Sequence, residues 1–136
     1  MTLPPSASTD LFIARLVSRI QPIVPPVTPV RSAASGGFNT DTLAVVAMGN
    51  FETAQASDAM VRGISKILAY RLSRYHRDPF GSKVLTAEVG SSKYPAGRKV
   101  SMKVISGHRD SQLTACPGGN LYKRIPTIRT WTAAEM

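Results

Sequence analysis

With 136 residues, 43% of them hydrophobic, the chain is long enough for one globular domain built around a single core. No run approaches the roughly 18 apolar residues needed to cross a bilayer, and a single cysteine, Cys116, excludes an intramolecular disulfide. The 17 Lys+Arg against 8 Asp+Glu leave a net charge of +9, with the excess in the second half: from Arg62 to Arg129 the only acids are Asp78, Glu88 and Asp110. Such a surface attracts nucleic acid, anionic lipid or the acidic polymers of a bacterial cell wall, unless it is simply a solvated basic face. No aromatic-interleaved basic motif or recognition-helix pattern supports nucleic acid.

Residues 1–35 hold six of the ten prolines and much Ser, Thr and Ala, and are expected to be a poorly ordered leader. Within it, Thr9 to Ile20 has an N-cap type residue and apolar spacing suited to a short helix. It lacks the charged n-region and the unbroken apolar run of a signal peptide. Gln21 to Val30 is Pro-rich enough for an extended linker.

Thr42-Leu-Ala-Val-Val-Ala-Met48 is continuously apolar and predicts a strand covered on both faces. Ser57 can cap the next helix, expected from about Ser57 to Arg77. Met60, Ile64, Ile67, Leu68, Leu72 and Tyr75 form its apolar stripe, and Arg62, Lys66, Arg74 and Arg77 fall mainly on the other side. Asp78-Pro79 should end it, with His76 facing the free carbonyls there. Gly81 to Gly97 reads as loop, and Val100 to Ile105 as a strand. Asn120 is placed to cap a last short helix with Leu121, Ile125, Ile128 and Trp131 inward and Pro126 disturbing its middle. Residues 131–136 remain as a tail.

The strand ending at Ile105 leads into Ser-Gly-His-Arg-Asp-Ser-Gln-Leu-Thr-Ala-Cys-Pro-Gly118, where His108 and Cys116 stand eight residues apart. Imidazole and thiolate are the side chains zinc prefers, and Gly107 and Pro117-Gly118 put both on loop edges. The thiol can equally be free or a buried structural one. Two ligands fall short of the three protein ligands usual in catalytic zinc sites.

Ser106-Gly-His-Arg-Asp110, Thr114-Ala-Cys-Pro-Gly118, Leu121-Tyr122 and Ile125-Pro-Thr-Ile-Arg129 together resemble the C-terminal motif of the peptidoglycan recognition protein family. These are the zinc-dependent N-acetylmuramoyl-L-alanine amidases of type 2. The likeness extends upstream through Gly37-Phe-Asn-Thr40 and Met48-Gly-Asn-Phe51, and covers roughly residues 36–130. It implies an α/β fold, a mixed central sheet with flanking helices, and peptidoglycan or a muropeptide as the substrate. It implies an extracellular or cell-wall setting as well. By position, His108 and Cys116 match two of the three zinc ligands, and Thr114 matches the residue near the developing oxyanion. Asp110 is expected to orient the turn, and Arg109 to be structural or surface-exposed.

The family's first zinc histidine and its catalytic tyrosine lie in an N-terminal half. The residues before Gly36 contain neither residue type, and His76 is misplaced for a ligand. The chain therefore reads as the C-terminal portion of an amidase domain behind an unrelated leader, with impaired hydrolysis. The strand at 43–48 would then have an unprotected edge. A non-catalytic cell-wall binder and a basic polyanion binder are the competing functions, and oligomeric state is left open.

Overall fold

The computed structural model describes residues 9–15, 35–38 and 42–136. Its elements, in chain order, are β1 (Thr9–Arg15), β2 (Thr42–Met48), α1 (Asp58–Arg74), β3 (Ser82–Thr86), β4 (Lys99–Lys103), β5 (Ile105–Gly107), a 3₁₀ turn at His108–Asp110, α2 (Gly119–Tyr122) and α3 (Ile125–Glu135). No described helix is long and apolar enough to cross a membrane. The linker expected over Gln21 to Val30 lies outside the described residues, as does most of the leader.

The described residues form a mixed α/β arrangement with two small sheets. One has the strand order β2-β1-β5, and the other pairs β3 with β4. Every pairing among these strands is antiparallel, in place of the mixed sheet expected from the sequence. The helix expected from Thr9 is corrected over Thr9–Arg15, which is the middle strand of the first sheet. A central strand reads as an unbroken apolar run, and Leu-Phe-Ile-Ala is short enough to suit either element. The register pairs Phe12 with Val45 on one side and with Gly107 on the other, so β1 places β5 two strands from β2.

The principal core joins Val45 and Ala47 of β2, Phe51, Val61, Ile64, Leu68 and Leu72 of α1, Val104, Ile105, and Leu121, Ile125 and Ile128 of the C-terminal helices. α1 packs chiefly on α3. Its buried stripe is Val61, Ile64, Ser65, Leu68, Ala69 and Leu72, whereas Ile67 is half exposed and not part of it. Ser57 caps the helix as predicted, its hydroxyl accepting from the Met60 amide at 3.2 Å. A second, smaller core of Phe38, Leu85, Ala87 and Met102 backs the β3-β4 hairpin, with the Tyr94 ring edge-on to Phe38 at 6.1 Å.

Four more expectations change. β3 lies inside the stretch read as loop. The strand read over 100–105 is two strands, because buried Val104 donates its amide to the Gly81 carbonyl and hands the chain from one sheet to the other. The single C-terminal helix is α2 followed by α3; Pro126 sits in the first turn of α3, where a missing N–H costs nothing. Residues 131–135 continue α3.

α1 ends before the Asp78-Pro79 pair, at a Schellman motif. The His76 amide donates to the Ser73 carbonyl at 3.2 Å and the Arg77 amide to Leu72 at 3.0 Å, with His76 at φ 52°. The imidazole is therefore incidental to the cap, which is made by backbone. A left-handed residue with a Cβ costs about 1–2 kcal/mol, and glycine gives back part of that gain as unfolded-chain entropy. His76→Gly should raise stability by about 0.5–1 kcal/mol in urea unfolding, and an unchanged or lower midpoint would contradict the cap assignment.

Candidate functional site

His108 is delivered by β5. The strand ends at Gly107, whose amide donates to Asp110 Oδ2 at 2.8 Å, and this closes the 3₁₀ turn that holds His108, Arg109 and Asp110. The His108 carbonyl accepts from the Ser111 and Gln112 amides, both at 3.1 Å, so the chain curls back immediately. Behind the turn, Arg129 of α3 anchors β5, its Nε and Nη2 both donating to the Ile105 carbonyl at 3.2 and 2.7 Å.

The other Asp110 oxygen, Oδ1, accepts the Tyr122 hydroxyl at 2.6 Å. The hydrogen bond to this carboxylate, together with burial, pushes the Tyr122 phenol above its ordinary pKa of 10.0. The ring packs against Gly107: a Cβ there would stand 2.8 Å from Tyr122 Cδ2 and 3.1 Å from Pro117 Cδ. Only glycine permits this contact. The same contact brings the residue before His108 against the residue after Cys116, so both candidate ligands sit on one fold of the loop.

Arg109 closes the other side. Its Nη2 donates to the Ala115 carbonyl and to Glu52 Oε1, the latter at 3.4 Å, while its guanidinium stacks on the Tyr122 ring at 4.6 Å. Glu52 Oε1 also accepts the Gly119 amide at 3.0 Å, which satisfies one free donor at the start of α2. Arg109 and Asp110 thus have the structural roles expected of them. Residue type and spacing do not single out Glu52, which meets Gly119 from 67 residues away, or the donor role of Tyr122, which needs α2 folded back over the turn. Asn120 does not cap: it lies within α2, and its Nδ2 donates to the Ala54 carbonyl at 3.0 Å.

Of the predicted site residues, His108 and Cys116 are both half-buried, and Cys116 is not in a disulfide. Burial lowers the His108 pKa below its ordinary 6.5, which favours the neutral imidazole that a metal ligand must be. Thr114 is exposed, and its Oγ1 accepts from the Cys116 amide at 3.2 Å. That bond uses an acceptor lone pair and leaves the hydroxyl hydrogen free to donate. His76, exposed at the end of α1, is not drawn into this group. Among the described residues no group of three or more His, Cys, Asp or Glu is placed to hold a metal ion. The donor set suits zinc by chemistry and falls short of it by number.

Comparison of the chain with protein-family models, with curated proteins and with solved structures returned no match.

Two outcomes test this geometry. Gly107→Ala should destabilise the fold by about 1–3 kcal/mol, because the added methyl must displace a ring held by its own hydrogen bond; a neutral change in urea unfolding would refute the close contact. Tyr122→Phe should cost about 1 kcal/mol at pH 7. The phenol is favoured in its protonated form by folding, so its contribution is complete below pH 10 and is lost as pH rises through the raised folded value. The wild-type and Tyr122→Phe stabilities should therefore converge above pH 10, and a constant gap would show that the Asp110 bond is not the cause.

Proposed function

We propose that the chain is a peptidoglycan-directed member of the type 2 N-acetylmuramoyl-L-alanine amidases, with a zinc-ligand set reduced to His108 and Cys116. The observation that supports this most is the fold of residues 107–118 back on itself, with Gly107 against Pro117, which places His108 and Cys116 on the two limbs of one loop. Zinc, when bound, supplies a Lewis acid and an activated water. Thr114, with a free hydroxyl hydrogen two residues before Cys116, is the candidate donor to an oxyanion. Asp110, Tyr122 and Arg109 hold the loop and do not touch substrate in this reading.

Two ligands hold a metal more weakly than three and expose it to more water, so hydrolysis is impaired. Losing one oxyanion donor costs about 10²–10³ in rate, and losing a ligand costs at least as much. The retained activity is then recognition of peptidoglycan itself.

The expected result is zinc binding, followed by calorimetry, that disappears in His108→Ala and in Cys116→Ser and persists in His76→Ala. The chain should sediment with insoluble peptidoglycan, yet release no more free L-alanine amino groups than His108→Ala does. Zinc-dependent release above that control would overturn the impairment and point to a third ligand outside the described residues. Failure of both zinc binding and sedimentation would overturn the reading as a whole.

A further inference from the structure

α1 carries a file of exposed residues on the side away from the core: Arg62, Lys66, Tyr70 and Arg74, each four positions after the last. At 1.5 Å per residue the steps are about 6 Å, and the file is about 18 Å long. No acid follows Asp58 within α1, so the cations are not neutralised along their own helix. Two are held in place by rings: Arg62 stacks on Trp131 of α3 at 4.5 Å, and Arg74 lies over Tyr70 at 5.6 Å while donating to its hydroxyl at 3.1 Å. Beside them an open groove of about 460 Å³ runs between the ends of α1 and α3, lined by Lys66, Ala69, Tyr70, Ser73, Arg74 and Glu135. It shares no residue with the His108 loop.

The geometry points to this groove as a binding surface for a linear polyphosphodiester without bases, of the poly(glycerol phosphate) kind found among the acidic polymers of bacterial cell walls. The three cations of the file, Arg62, Lys66 and Arg74, stand about 6 and 12 Å apart, which matches the first, second and fourth phosphates of a chain whose phosphates are separated by one glycerol unit. Single-stranded nucleic acid is favoured by successive free aromatic faces, whereas the file offers a single ring, Tyr70, with the Arg74 guanidinium beside it. A membrane surface takes a helix by its apolar face, and that face of α1 is buried. Glu135 is the one carboxylate in the groove, and it opposes an anion. The choice of a wall polymer is congruent with the peptidoglycan reading, but the groove's preference for a polyanion does not depend on it.

The test is fluorescence anisotropy with labelled poly(glycerol phosphate) and the intact 136-residue chain. About three cationic contacts should weaken binding roughly 20-fold between about 50 and 200 mM salt. Lys66→Glu with Arg74→Glu should reduce affinity at least about tenfold, the milder Lys66→Gln with Arg74→Gln by less, and Glu135→Gln should strengthen it. Circular dichroism checks that these surface variants fold. His108→Ala should bind as the wild type does, which separates this surface from the candidate zinc loop. No binding at low salt, or affinity indifferent to the Lys66 and Arg74 changes, overturns the proposal. Equal or tighter binding of a single-stranded oligonucleotide of the same charge overturns the choice of polymer.

Discussion

One carboxylate determines the shape of the C-terminal half. Asp110 accepts the Gly107 amide with one oxygen and the Tyr122 hydroxyl with the other. The first bond turns the chain out of β5; the second holds α2 over that turn. Between them Gly107 has no room for a side chain, and the Tyr122 ring and Pro117 meet on its bare Cα. Gly118 meets a similar limit against the Phe51 backbone, where a Cβ would stand 2.5 Å from the Phe51 carbonyl carbon, and its φ of 89° is one that glycine adopts freely. The loop with His108 and Cys116 is thus pressed between two glycine contacts, and its course is dictated by what those contacts exclude.

How much of this the sequence discloses depends on the range of the forces involved. β2 and α1 are legible because each is specified locally, by an apolar run in one case and a capped three-four periodicity in the other. β3 is hidden because its pattern is poor: Val84 points outward at 55% exposure, and Leu85 is the only buried residue of the five. Its packing comes from Met102 of β4 and from Phe38, which no local window contains. The break at Val104 is invisible for the same reason, since the bond that makes it comes from Gly81. β1 shows the converse case, in which helix-like local spacing is overridden by pairing on both edges of the strand.

The candidate site divides in the same way. His108, Cys116 and the bends around them lie within one short stretch, so residue type and spacing are enough to single them out. What positions them is Glu52, Tyr122 and Arg129, brought in from the loop after β2 and from both C-terminal helices. Tyr122 is present in the motif as a residue, but its role as a hydrogen-bond donor to Asp110 needs the fold. A third ligand, in a site of this type, is also a long-range feature, and short-range spacing has no means to supply it.

The acids also explain the charge. Asp110 is committed to the turn, Glu52 to Arg109 and the start of α2, and Asp58 to Arg124 at 2.6 Å, while Arg124 also donates to the Ala56 carbonyl. Asp78 accepts the Phe80 amide just past α1. Asp110, Glu52 and Asp58 therefore join separate segments, and the arginines that the last two pair with, Arg109 and Arg124, lie outside α1. Arg62 and Arg74 of α1 lie against aromatic rings, and a ring orients a guanidinium without cancelling its charge. A positive surface of this kind follows from placing scarce carboxylates at the joints, and on the outer side of α1 no acid of the helix itself, after Asp58, competes for an external anion.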